Sequence, residues 1–524
     1  MDIELKKEMV SINETVMCDS TQILVQSDII VPDIKSDMAK ILQIDSQAMV
    51  EEIVISDKRA DISGMLALTI LYVPEGDTKP VCSIITSLPF STVVENSQIS
   101  IGSKCICSAD AYHIEFSMLN SRKLSVKAVV ELDIRCIREN TLPLVCDINS
   151  DESVEKNMQS FEIYNLVHAS HTKLGIRETL DFPPGKPSAL SVLKTDAKIC
   201  DKDVRLISGK IIIKGSIGLC SLYVSDTGTL EFMEHEIPFT EVIDAENANE
   251  NSMCELDMDI CHVDFSPRAD TDGDVRLLDV EILIDASASI TQNTNMSAIS
   301  DCFCASHKLV CKTDCFSFDV LVGCGKAQEA LRTILAMDEN EPELLSVYNL
   351  ITKPYISDVK AMENKAIISG VIDCYLLYLS ASPVMPISTK KAQIEFEIPV
   401  EILGMSADCD CDVGIEIAHQ SYNITMTGEV EVRVSVIIDA KALGKMSAQL
   451  ISDVQFDEQE PVDMRHGIII YFVRPGDTLW KIAKKYNVPL ELILKINGIE
   501  NPDMLDVGQR LIIPNTTIHK QVGQ

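Results

Sequence analysis

Cys302, Cys304, Cys311, Cys315 and Cys324, with His307 among them, are the densest group of soft metal ligands in the chain. Zinc needs four such ligands converging tetrahedrally, usually from two knuckles with two to four residues between cysteines. Cys302-x-Cys304 is one residue short of that spacing, and Cys311-x3-Cys315 leads straight into the strand-like run 316–322. The pattern therefore favours incidental or buried thiols over a metal site. Cys105-x-Cys107 and Cys409-x-Cys411 share a spacing that, on an extended strand, puts both thiols on one face. That suits packing as well as it suits chemistry. His113, His262 and His419 have no His, Cys or acid beside them at a repeated spacing, and read as structural. A phosphate loop, an H-E-x-x-H helix and a G-x-S-x-G elbow are all missing, and Cys324-Gly325-Lys326 lacks the loop that would give it meaning. The carboxylates scatter without an obvious pair. No enzyme, cofactor or metal is expected.

The elements that carry these residues must belong to several cores. At about 100–200 residues per domain, 524 residues imply three to five domains. A hydrophobic fraction of 46% and a mean hydropathy of +0.13 indicate folded sequence. The net charge of −35 argues against nucleic acid and anionic membranes as partners, and suits basic protein surfaces. No apolar run is long enough to span a membrane. Acids within Met1-Asp2-Ile3-Glu4-Leu5-Lys6-Lys7-Glu8 argue against a signal peptide. Cys136, Cys220 and Cys374 sit in apolar runs and read as small buried hydrophobes, which points to a reducing cytosol.

One unit occurs three times. Gly64, Gly215 and Gly370 are each followed eight positions later by a tyrosine: Tyr72, Tyr223 and Tyr378. Leu88-Pro89-Phe90, Ile237-Pro238-Phe239 and Ile398-Pro399-Val400 follow as a second shared feature. Period-two alternation predicts strands from glycine to tyrosine and again over 123–134, 275–284 and 430–438. The prolines should mark edge strands or strand entries, and the tyrosines should be core or rim aromatics. Turns are expected at Pro74-Glu75-Gly76-Asp77 and Thr271-Asp272-Gly273-Asp274. Residues 36–44, 188–193 and 328–337 are the best helix candidates, as lead-ins to the repeats. The expected fold class is mainly β with minor α: three sandwich-like β-sheet domains over 1–150, 151–305 and 306–452. An acidic linker (453–466), a small βααβ module (467–515) and a polar tail (516–524) complete the expectation.

That module is near neutral and has its own grammar. An apolar strand precedes Pro475-Gly476-Asp477-Thr478, with Asp477 or Thr478 placed to cap a helix that starts near Leu479. Leu479, Ile482, Ala483 and Tyr486 form its buried stripe, a second short helix ends at Asn497-Gly498, and a strand returns over 510–513. With so little core, Trp480 is either packed or a ligand platform. These residues match the LysM family almost position for position: Tyr471-x-Val473-x-x-Gly476-Asp477-x-Leu479-x-x-Ile482-Ala483-x-x-Tyr486-x-Val488, then Asn497-x-Ile499-x-Asn501-Pro502-x-x-Leu505-x-x-Gly508-Gln509-x-Leu511-x-Ile513-Pro514. The resemblance implies binding of N-acetylglucosamine polymers in a shallow groove between two loops. Carried over here, these are Gly476, Asp477, Thr478 and Leu479, and Asn501, Pro502, Asp503, Met504 and Leu505. The same surface could serve a protein partner.

Upstream, the triplicated Gly-x7-Tyr unit with its proline motif resembles the SPOCS domain of clostridial sporulation proteins. Joined to one C-terminal LysM, it resembles the SipL-type spore coat morphogenetic family. This resemblance implies a non-enzymatic scaffold in the mother-cell cytoplasm at the forespore surface. Its partners would be the coat basement-layer ATPase, stage IV sporulation protein A, and other coat proteins. The alternative is a cell wall protein that binds peptidoglycan through the same module.

Overall fold

Alternating side chains dictate strands nearly everywhere, and the computed structural model is 77% strand and 3% helix. It describes residues 3–515 apart from 78, 247, 250–251, 338–340, 427, 462–466 and 503. The first unit contains β1 (Ile3–Ile30), β2 (Met38–Ser56), β3 (Arg59–Pro74), β4 (Cys82–Glu95), β5 (Lys104–Asn120) and β6 (Lys123–Ser150). They form two antiparallel sheets, β1-β6-β5 and β2-β3-β4, that face each other across one apolar core. The second unit repeats this with β7 (Val154–Asp181), β8 (Ala189–Ile207), β9 (Lys210–Ser225), β10 (Leu230–Asp244), β11 (Met253–Ala269) and β12 (Val275–Cys304). The third has β13 (His307–Leu335), β14 (Leu344–Met362), β15 (Lys365–Ser380), β16 (Ile387–Glu401), β17 (Asp410–Ile424) and β18 (Val430–Pro461).

The glycine-to-tyrosine anchor has a direct cause. Eight is an even separation, so both residues face the same way on the central strands β3, β9 and β15. A Cβ on Gly64, Gly215 or Gly370 would lie 2.2 to 2.3 Å from the carbonyl oxygen of Met49, Asp201 or Tyr355. It would also strike the ring of Phe90, Phe239 or Phe396. Only glycine lets that ring lie over the strand. Each tyrosine is buried and donates its hydroxyl proton to a backbone carbonyl 36 residues upstream: Tyr72 to Ser36 (2.9 Å), Tyr223 to Pro187 (3.2 Å) and Tyr378 to Pro342 (3.4 Å). The phenol thereby fixes the chain where it enters each small sheet.

The register corrects one feature. Phe396, not Val400, faces Gly370, so Ile394-Glu395-Phe396 is the counterpart of Leu88-Pro89-Phe90 and Ile237-Pro238-Phe239. Pro89, Pro238 and Pro399 all lie on edge strands, where a missing N–H costs no ladder bond. The inner faces of β6, β12 and β18 are the alternating ones: Leu124, Val126, Ala128 and Val130 in the first, Val430, Val432, Val434 and Val436 in the last, all buried.

The helix candidates are strands. Residues 36–44 and 188–193 run into β2 and β8, and 328–337 falls largely in β13. The first two of three bulges in each of β2 and β8 shift the alternation, so Met38, Ile41 and Leu42, like Ala189, Val192 and Leu193, acquire helical spacing while remaining extended. The stretch from Asp453, expected as linker, continues β18 as far as Pro461 and pairs with β13. The remainder of that linker, 462–466, and the 516–524 tail lie outside the described residues.

The three units meet at equivalent positions. Residues bulged out of β2, β8 and β14 (Leu42, Leu193 and Tyr348) pack with Leu71, Leu222 and Leu377 in a shared cluster. Beside it lies a polar ring. Lys194, 5% exposed, pairs with Asp45 (2.6 Å) and Asp196 (2.8 Å), and Asn349 donates to Asp196 (3.1 Å). Burial opposes the charge on Lys194, but the two carboxylates overcome it and raise its pKa. At the other end the long hairpins β1–β6, β7–β12 and β13–β18 converge. Val145, Ile299 and Ile451 form one layer there, and Ile148, Cys302 and Val454 the next. Cys302 thus stands where its counterparts are aliphatic. Cys136 departs from the expectation of a free thiol: it faces Cys105 across β5–β6 and forms a disulfide with it.

Candidate partner-binding site in the C-terminal module

After 466 the chain forms β19 (Gly467–Phe472), α1 (Leu479–Tyr486), α2 (Leu490–Asn497) and β20 (Arg510–Asn515), with β19 and β20 antiparallel. Val473, Leu479, Ile482, Ala483, Val488, Ile493, Leu511 and Ile513 make its core. Thr478 is the N-cap of α1 and accepts from Lys481 N–H (3.2 Å). Asn487 (φ 50°) and Gly498 (φ 62°) end the two helices in the left-handed region. Asn497 links α2 to β20: its amide donates to Ile493 O and Ile512 O, and its oxygen accepts from Ile512 N–H.

The two candidate loops are joined at their base. Gly508 N–H donates to Val473 O (2.8 Å), and Val473 N–H donates to Gln509 O (3.0 Å). Gly476, Thr478, Asn501, Pro502 and Met504 are exposed around this base, Met504 at 75%. Three other expected contacts sit differently. Leu479 is 1% exposed and Leu505 packs on the module core, so neither side chain faces the groove. One Asp477 oxygen accepts from the Tyr471 hydroxyl (2.7 Å) and from Arg474 N–H (2.8 Å). The Tyr471 hydrogen bond, seconded by the Arg474 amide, holds its pKa below the usual carboxylate value. Asp477 therefore builds the loop. Asp503 lies outside the described residues. An exposed apolar row on β19, comprising Ile468, Ile470 and Phe472, went unread in the sequence, although alternation with Ile469 and Tyr471 marks it.

Trp480 is packed, and against the second unit. Its Nε1–H donates to Asp301 (2.9 Å), its ring stands edge-on to Phe303 (5.1 Å), and Lys484 pairs with Asp301 (2.5 Å). Glu155 of β7 accepts from Leu490 N–H at the start of α2, while burial, the larger influence, raises its pKa. The helices thus face the β7–β12 hairpin. Asp147 and Asp453 occupy the places of Asp301 in the other hairpins, and each, like Asp301, accepts from the next residue's amide. Asn149 and Gln455 stand where Phe303 does, so an aromatic partner for Trp480 exists on the middle unit alone.

The expected cysteine cluster is dispersed. Cys315 and Cys324 are exposed along β13, and Cys302 meets Cys311 (Sγ to Sγ 3.4 Å). Cys304 lies instead near His307 and Glu152. His113, His262 and His419 are exposed, each following a bulged residue on β5, β11 or β17. No helix among the described residues is long and apolar enough to cross a membrane.

A LysM domain model matches residues 471–514, and the SipL, SPOCS domain model matches 37–119, 188–268 and 344–425. Those three segments correspond to β2–β5, β8–β11 and β14–β17. The chain is 43% identical over 51 residues to spore coat assembly protein ExsA of Bacillus cereus, which is 10% of this chain and 8% of that protein. It is 43% identical over 47 residues to SpoIVD-associated factor A of Bacillus subtilis (9% and 12%). It is 45% identical over 47 residues to probable peptidoglycan endopeptidase LytE of Bacillus subtilis (9% and 14%). The chain therefore spans only about a tenth of the length of these relatives. The likeness to the endopeptidase reflects the shared LysM domain, and the SPOCS and LysM domains are non-catalytic. No solved structure matches the chain. Three SPOCS domains followed by one LysM domain make this chain a SipL-like protein.

Proposed function

We propose that this chain is a non-enzymatic scaffold of endospore coat assembly whose LysM module docks on the basement-layer ATPase of the forespore surface, stage IV sporulation protein A. The observation that carries this reading is the way the module is mounted. Its helices are taken up by Asp301, Phe303 and Glu155, while Gly476, Thr478, Asn501, Pro502 and Met504 remain exposed. A module fixed by one side and open at its loops suits a rigid presenter of a binding surface. The names of two relatives, a spore coat assembly protein and SpoIVD-associated factor A, support the setting. The net charge of −35 suits basic partner surfaces among coat proteins. The place of action under this reading is the mother-cell cytoplasm, at the forespore.

The second reading, binding of peptidoglycan or other N-acetylglucosamine polymers, is favoured by the exposure of Gly476 and Thr478 in one loop and Asn501 and Pro502 in the other. One shallow site would hold glycan weakly, because few atoms are buried to offset the ordering cost. Pull-down from sporulating cells with the full chain and with Met504→Asp as baits separates the two. The ATPase should be captured by the first bait and lost from the second, and neither should pellet with purified murein. Pelleting with murein without capture of the ATPase would replace the docking reading with the wall-binding one.

A further inference from the structure

The turns that connect successive units contain a group of ligands that neither domain type explains. β6 passes to β7 through 151–153, and β12 passes to β13 through Ala305 and Ser306. Glu152 lies within the first crossover, and His307 opens β13 directly after the second. The side chains of Glu152, Cys304 and His307 offer ligand atoms that all lie within 4.8 Å of one another. Ser306 Oγ sits amid them, 2.8 Å from Glu152 Oε2, 3.2 Å from Cys304 Sγ and 3.0 Å from His307 Nδ1. Cys304 is 2% exposed, and the other two are half-buried.

We propose that Cys304, His307 and Glu152 bind one divalent transition-metal ion, zinc by preference, which fastens the first crossover to the second. Cys304-x2-His307 across a two-residue turn has the short spacing of a zinc knuckle, and the turn brings Glu152 rather than the other cysteines to it. A thiolate, an imidazole and a carboxylate together suit zinc better than magnesium or calcium, which take oxygen ligands. Ligand atoms around a tetrahedral zinc lie roughly 3.3–3.8 Å apart, given bonds of about 2.0–2.3 Å. The turn side chains therefore close in by on the order of 1 Å when the ion enters, and Ser306 Oγ or a water completes the shell. The ion neutralises the thiolate and the carboxylate together. Cys302 is excluded from the site, since it fills an apolar layer with Ile148 and Val454. Phe303 and Asp301, which support the LysM module, immediately precede Cys304, so the ion would stiffen that footing.

The test uses the full chain, reduced, stripped with a chelator and titrated with Co2+. One equivalent should produce a thiolate-to-cobalt charge-transfer band with tetrahedral d–d absorption, and Zn2+ should displace it. Cys304→Ser should abolish the charge-transfer band, His307→Ala and Glu152→Gln should weaken binding on the order of tenfold or more, and Cys302→Ser should leave it unchanged. Because Cys304 is buried, the partly exposed His307→Ala variant, with its fold verified by circular dichroism, keeps the assignment open to failure. No charge-transfer band in the native chain, a band that survives Cys304→Ser, or affinity untouched by His307→Ala would each overturn it.

Discussion

The β-body and the C-terminal module follow opposite rules. In the body three devices occur three times each: a glycine under a phenylalanine ring, a tyrosine tied to a carbonyl, a bulge at the shared junction. The module occurs once and sits on one of three related hairpins. One side-chain difference marks that hairpin, since Phe303 meets Trp480 where Asn149 and Gln455 have no ring to offer. Repetition builds the frame, and local departures from it decide where the singular part attaches.

The largest effect should come from the body's centre. Lys194→Met leaves the half-buried Asp45 and Asp196 facing each other without their cation and should cost about 3 kcal/mol in urea unfolding. Asn349→Ala at the related position should cost only about 1 kcal/mol. Equal losses would mean that the two positions are energetically alike and that the ring has no key member.

A smaller effect should separate module from body. Asp301→Ala removes the acceptor of Trp480 and the partner of Lys484, worth about 1–2 kcal/mol at the footing. Trp480 is the only tryptophan in the chain, so its fluorescence reports this contact without labelling. Emission should shift to the red in Asp301→Ala and stay put in Asp147→Ala and Asp453→Ala. A shift in all three would show that the hairpins are interchangeable. The smallest effect is confined to one loop. The folded-state pKa of Asp477 is depressed, so its contribution is present at neutral pH and above the ordinary carboxylate value. It is lost as pH falls through the depressed value. Acid titration followed by NMR should show the 473–478 loop losing order there, ahead of the body, and Tyr471→Phe should raise the pH at which this happens.

Sequence legibility followed the same division. Strands with one buried face were readable because period two survives intact along β6, β12 and β18. The module was readable because its caps and turns need particular residues: Thr478, Asn487 and Gly498 leave little choice. Bulges defeated the pattern in β2 and β8, where Met38, Ile41 and Leu42 mimic a helix face. Contacts between distant segments left no local trace. Nothing near Tyr72 points to the Ser36 carbonyl, nothing near Trp480 points to Asp301, and Asp477 resembles a ligand contact until Tyr471 is seen to hold it. Cys136 reads as an apolar filler for the same reason, since Cys105 lies 31 residues away.

Three units built from the same devices, taken as arms, give the body no inherent heading. Seating the module on the middle arm supplies a compass needle. A partner that grips the module would therefore meet the three arms in one fixed order.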